Sequence, residues 1–189
     1  TRSTANYDKG TAFSRVNHWV IAIAMIAMLG FGLYLAFGGL EREARGPLIA
    51  IHKSVGLLIL VAGLWRVTWR LFMGFPAPAS RMPAWQQMAS GITHGALLAG
   101  VIVMPVSGVV GSLFGGRDIV VFGWFTLPAQ AKIEWLQSLA HGVHGLFGKV
   151  LVAIVLLHVA AALKHHFIDK DTTLSRMLTS ARREVRDWG

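Results

Sequence analysis

The chain has no cysteine, which excludes disulfides, thiolate-held metals, iron–sulfur clusters and covalent attachment of a c-type haem. Charge is scarce as well. Asp, Glu, Lys and Arg make up 14% of the 189 residues, where a soluble domain carries about a quarter. Acidic residues are the scarcer sign, nine against 18 basic. These absences leave neither a disulfide-stapled secreted domain nor an ordinary soluble one as a reading.

What fills the chain instead is apolar. Hydrophobic residues make up 54% of it, and the mean hydropathy is +0.54. Residues 19–40 run for 22 positions without a charge and residues 82–116 for 35, each long enough to cross a bilayer. Two further apolar segments, 48–73 and 139–167, are interrupted by Lys53, Arg66, Arg70, Lys149 and Lys164. The expected architecture is all-α: an integral membrane four-helix bundle forming one domain over 1–189, with spans near 14–38, 48–73, 88–114 and 139–167. The first run is too long for a signal-peptide core and has no small-residue cleavage site, so it is read as a retained span.

The basic residues set the orientation. The side with both termini, the 74–83 loop and the span ends beside them, Arg66, Arg70 and Lys164 included, holds twelve basic against five acidic residues, while the opposite side holds six against four. Both termini are therefore expected in the cytoplasm of a bacterial inner membrane. The high pI follows from this asymmetry and from anionic lipid contact, and nucleic acid is not an expected partner. The 38–47 segment reads as a short charged turn, and 74–83, with three prolines, as a loop. Residues 120–128 are too apolar for a free loop and are expected at the outer interface, where they would cover whatever lies beneath. The tail from Asp169 reads as a short surface helix.

Four histidines lie inside or at the ends of these spans: His18, His52, His144 and His158. An ionisable side chain at that depth is costly and marks a functional site by default. His144 and His158 are fourteen residues apart, about four turns, so they share one helix face at roughly 21 Å separation. Antiparallel spans put His52 and His144 at the outer surface and His18 and His158 at the cytoplasmic one. That layout stacks two bis-histidine b-type haems across a bilayer, with no open coordination site, which favours electron transfer over oxygen binding.

Other residues carry competing readings. Gly56, one turn after His52, and Gly145 and Gly148, beside His144, admit a flat macrocycle or simply a neighbouring helix. Arg66 shares the face of His52 and either pairs with haem propionates or snorkels to headgroups, as Arg70 does. His141 rivals His144 as the outer ligand. His94 is a fifth candidate, more suited to hydrogen bonding. His165, two turns beyond His158, has the chemistry to protonate a reduced quinone, and His166 adjoins it.

The run Arg15-Val16-Asn17-His18-Trp19, the segment His52-Lys53-Ser54-Val55-Gly56, Arg66 with Arg70, and Phe122-Gly123 through Leu127-Pro128 resemble the bacterial cytochrome b561 family. So does His144 through His158 followed by Ala160-Ala161-Ala162-Leu163-Lys164-His165-His166. The resemblance runs from about Tyr7 to Leu178. It implies two b haems, His18 and His158 ligating the cytoplasmic one and His52 and His144 the outer one. It also implies electron exchange with ubiquinone and, as in some members, a superoxide:ubiquinone oxidoreductase activity. His165 matches a position near the quinone, Arg81 the basic loop residue expected there, and Lys53 a place in a basic funnel for superoxide. The outer side departs from that pattern in being only weakly positive, with Glu41 and Glu43 beside Arg42 and Arg45. The rival reading is a haem-bearing membrane subunit that relays electrons between quinone and a partner dehydrogenase or hydrogenase.

Overall fold

A computed structural model describes residues 4–74 and 83–178. Four long helices dominate it: α1 (Thr4–Phe37), α2 (Arg42–Met73), α3 (Ala84–Leu113) and α4 (Glu134–Phe167). All four are long and apolar enough to cross a membrane. Helices satisfy every backbone polar group within the segment, as hydrocarbon requires. At 30 to 34 residues each spans roughly 45–50 Å, more than a bilayer core of about 30 Å, so the helix ends project from it. The outward surface is apolar. Val16, Ile23, Leu71, Phe72, Leu156 and Leu157 are all exposed, as lipid-facing side chains should be.

The bundle has a termini end and a hairpin end. At the hairpin end α1 passes into α2 through residues 38–41, where Gly39 adopts a φ of +64° that glycine alone takes without strain. Helix α2 begins at Arg42 with Pro47 inside it, so the turn expected over 38–47 is only four residues long. Pro47 is the sixth residue of the helix, past its first turn, and without an N–H it leaves the Glu43 carbonyl lacking its i+4 donor.

The α3–α4 connection contains an element that an all-α expectation leaves out. Strands β1 (Ile119–Val121) and β2 (Phe125–Leu127) pair antiparallel, Val121 opposite Phe125. Phe122 and Gly123 close the turn with φ of 49° and 76°, and Trp124 N–H donates to the Val121 carbonyl at 2.8 Å. Ile119 and Val121 are fully buried while Trp124 is exposed. The hairpin is fastened to α2 through Ser54, whose Oγ lies 3.0 Å from the Val120 carbonyl and accepts from Phe122 N–H at 3.3 Å.

Helices α3 and α4 approach closely because α3 presents small residues. A Cβ on Gly100 would stand 2.5 Å from Leu151 Cδ2, and one on Gly108 3.2 Å from His144 Cε1. In lipid, such close packing substitutes for the hydrophobic effect between helices. Beyond α4 the chain turns at Lys170 and forms α5 (Thr173–Leu178), the short helix expected in the tail. The Met177 carbonyl of α5 accepts from Trp19 Nε1 at 2.9 Å, which ties it to α1.

Candidate functional site

The structure brings His52 of α2 and His144 of α4 together in the core near the hairpin end. Their ring centroids are 6.1 Å apart. An apolar pocket surrounds them, lined by Met25, Met28 and Leu29 of α1, Gly56 and Ile59 of α2, and Met104 and Pro105 of α3. All four helices contribute to it.

The chemistry of this pair suits a haem iron. His144 Nδ1 lies 2.9 Å from the Met104 carbonyl and 3.2 Å from Ser107 Oγ, while Ser107 Oγ donates to that same carbonyl at 2.9 Å. A carbonyl only accepts, so Nδ1 carries the ring proton and Nε2 keeps its lone pair for a metal. His52 Nδ1 is buried with no hydrogen-bond partner among the described residues, and a buried polar group left unsatisfied calls for a cause. Two imidazole–metal bonds of about 2 Å place ring centroids roughly 6 Å apart, which the observed spacing matches. The residues present therefore fit a bis-histidine group here.

The glycines beside His144 in sequence border open space and a neighbouring helix. A Cβ at Gly145 would meet no heavy atom within 4 Å, and one at Gly148 would meet Met104 Cε at 3.4 Å. Glycines facing the histidines lie on other helices: a Cβ would stand 3.2 Å from His144 Cε1 at Gly108 and 3.5 Å from His52 Cε1 at Gly32 of α1. A Cβ at Gly56 would make only ordinary contact, 4.0 Å from Met28 Cε. Sequence reasoning missed Gly32, Met104, Ser107 and Gly108 because nothing local to His52 or His144 announces them.

His141, the rival for the outer position, is exposed and engaged elsewhere. Its Nδ1 faces the Gln137 carbonyl at 3.0 Å and its Nε2 faces Arg117 Nη2 at 3.3 Å. Nearby, Lys53 Nζ donates to the Asp118 carbonyl at 3.2 Å. Lys53, Arg117 and His141 thus gather at the hairpin end above the His52–His144 pair.

At the termini end the arrangement is looser. His158 of α4 faces His94 of α3, centroids 5.4 Å apart, and Ser90 Oγ lies 3.2 Å from His94 Nδ1. His18 of α1 faces Arg66 of α2: Nη2 is 3.1 Å from His18 Nδ1, and Nη1 donates to Asn17 Oδ1 at 2.8 Å. A guanidinium has no acceptor, so His18 Nδ1 is the acceptor here, the opposite polarity to His144. Arg70 donates to Ser14 Oγ at 2.9 Å and to the Gly74 carbonyl at 3.3 Å, which binds it to the bundle.

His165, on the last turn of α4, has its Nδ1 2.9 Å from Asp171 Oδ2 and 3.1 Å from Asp169 Oδ2. Neither aspartate was singled out in the sequence. His166 stacks edge-on against Phe167 at 4.8 Å. Arg81 lies outside the described residues.

Residues 10–180 match the family model described as prokaryotic cytochrome b561. The cytochrome b561 homolog 2 of Escherichia coli is 34% identical over 166 residues, 85% of this chain and 86% of that protein. A probable superoxide oxidase, CybB, of Yersinia pestis is 26% identical over 174 residues, 87% of this chain and 93% of its own. A cytochrome b562 of Cereibacter sphaeroides is 27% identical over 165 residues, 85% of this chain and 89% of its own.

Proposed function

The chain belongs to the prokaryotic cytochrome b561 family of membrane electron-transfer proteins, which carry b-type haem, and from that premise we propose that it oxidises superoxide outside the inner membrane and reduces ubiquinone within it. In this reading two b haems, when bound, supply one-electron stations near the two membrane surfaces. His52 and His144 hold the outer one, His18 and His158 the inner one. The observation that carries the reading is the His52–His144 pair, 6.1 Å apart, with the His144 Nδ1 proton taken by the Met104 carbonyl.

The rest of the work falls to this chain's side chains. Superoxide is a small anion, and Lys53 and Arg117 set positive charge beside the hairpin, where an anion approaches from water. Lys53 Nζ donates to the neutral backbone carbonyl of Asp118, so its charge still draws the anion. The hairpin, with Val121 and Ile119 buried, is tied to α2 through Ser54, two residues beyond His52. At the other end Arg66 and Arg70 offer donors to carboxylates of the inner group. With Arg66 engaged by such a carboxylate, His18 Nδ1 would be free to carry the ring proton, as His144 Nδ1 does. Arg81, between α2 and α3 in sequence, adds a further charge for the quinone in this reading.

The reaction balances as two superoxide anions, one ubiquinone and two protons giving two dioxygen molecules and one ubiquinol. Protons enter from the cytoplasmic side through His165. Both termini are cytoplasmic on this reading, in keeping with the excess of basic residues at that end. The name of the Yersinia relative, 26% identical, supports the choice of superoxide.

Stopped-flow mixing of the oxidised, detergent-purified protein with superoxide tests this directly. The expected trace is fast growth of a reduced b-type α-band, decaying only when a soluble ubiquinone is present. A spectrum that superoxide leaves unchanged, yet ubiquinol reduces, assigns the protein instead as a relay subunit for a partner dehydrogenase or hydrogenase.

A further inference from the structure

We propose that Asp171 is a positioning residue that holds His165 as a proton donor to the reduced quinone. The inference rests on the reading above, that quinone is reduced at the termini end, and adds a residue that reading does not contain.

The geometry is specific. Asp171 Oδ2 lies 2.9 Å from His165 Nδ1, and the Asp171 backbone N–H donates to the His165 carbonyl at 3.0 Å. Its other oxygen, Oδ1, accepts the Thr173 N–H at 2.8 Å, an Asx-turn that starts α5. One side chain therefore fixes both the imidazole and the helix that covers it. The pair is enclosed, with side chains 18% exposed for His165 and 10% for Asp171, so water competes little for the contact. The second carboxylate, Asp169, is farther from the ring at 3.1 Å. Both its oxygens receive Lys164 Nζ, at 2.9 and 2.6 Å, so Lys164 balances that charge.

The chemistry follows from which nitrogen is committed. A carboxylate accepts, so Nδ1 carries a proton toward Asp171 and Nε2 is the atom left to meet a substrate. As imidazolium, His165 breaks its Nε2–H bond and an O–H bond forms on the reduced quinone oxygen. The ring returns to a neutral form whose remaining proton stays on Nδ1 against Asp171. The electrons are those the cytochrome transfers, and the proton is replaced from the cytoplasm. Asp171 fixes the ring's tautomer and direction, and does not itself touch the quinone. A carboxylate behind a histidine acts this way in hydrolytic triads, where its amide replacement imposes the wrong tautomer.

The test exploits that amide. In Asp171→Asn the side-chain oxygen still accepts the Thr173 N–H, as Asn does in Asx-turns, so α5 keeps its start. Its NH2 group, however, donates to His165 Nδ1, and with Asp169 Oδ2 held at 2.6 Å by Lys164 Nζ the neutral ring's proton shifts to Nε2. Such a ring still hydrogen-bonds a quinone carbonyl but would have to become imidazolate to give that proton up. Full-length, haem-loaded protein is reduced chemically, freed of reductant and mixed anaerobically with a short-chain ubiquinone while the reduced b-type absorbance is followed. The expected result for Asp171→Asn is a KM within about twofold of the unaltered protein and a maximal rate lower by tenfold or more. Asp171→Glu should recover much of that rate, and the solvent deuterium isotope effect should rise in the Asn variant. His165→Gln should lower the rate similarly, with no further loss in the double variant. An unchanged maximal rate in Asp171→Asn, a loss confined to KM, or additive losses in the double variant would overturn the proposal. If the unaltered reduced protein is not oxidised by quinone at all, the quinone reading fails first and takes this role with it.

Discussion

Met104 and His144 are joined across the α3–α4 interface by a 2.9 Å hydrogen bond from the ring Nδ1 to a helix carbonyl. That bond does for His144 what a carboxylate or carbonyl does behind most metal-bound histidines: it fixes the tautomer and the ring plane. Gly108 makes it possible, since any larger residue there would meet the ring at 3.2 Å.

Replacing Gly108 by alanine sets two effects against each other. In an exposed helix the change adds up to about 1 kcal/mol of stability, so the variant should fold. The added methyl nevertheless crowds His144 Cε1. The expected outcome is a protein with an intact helical spectrum that holds the outer haem more weakly, read as haem per protein after dilution or challenge with a haem-scavenging protein.

His144→Ala should lose one haem and keep the other, and His141→Ala should keep both. The reason is geometric: His144 faces His52, while both nitrogens of His141 face the Gln137 carbonyl and Arg117. Haem quantification of the two purified variants checks this. Loss of a haem in His141→Ala with two retained in His144→Ala would reverse the assignment.

Arg66→Gln removes a cation from the His18 neighbourhood. Loss of positive charge favours the oxidised, more positive state of a nearby redox centre. The inner haem potential should therefore fall, by tens of millivolts if the interaction is worth about 1 kcal/mol. The outer potential should stay where it was. A spectroelectrochemical titration separates the two.

Ser54→Ala cuts the fastening between α2 and the hairpin. Ser54 is buried, and its loss leaves the Phe122 N–H and the Val120 carbonyl without that partner. A cost of about 1–3 kcal/mol is expected for the unsatisfied groups. It should appear as faster hydrogen exchange over residues 119–127 with little change in the four long helices.

The sequence carried the four membrane-length helices plainly, because length and hydropathy suffice for them in lipid. The shared face of His144 and His158 was equally legible, since helical periodicity is a local property. Contacts between elements were not. His94 faces His158 across 64 positions of chain, and Gly108 faces His144 across 36. The β-hairpin escaped because its strands are three residues long and its turn places a phenylalanine at positive φ, where turn rules expect Asn, Asp or Gly. The Asp171–His165 contact was hidden because it depends on the chain reversing after Phe167, and no pattern of apolar residues specifies that reversal.

Two histidine-held haems in one chain are what every proposed electron-transfer step requires, and a pyridine haemochrome assay against quantified protein, paired with a low-temperature EPR spectrum, counts them and reads their ligation. Two b haems per chain, both low-spin, are predicted, with one lost on removing His52. One haem per chain, or a high-spin signal showing an iron with an open position, would contradict the proposal.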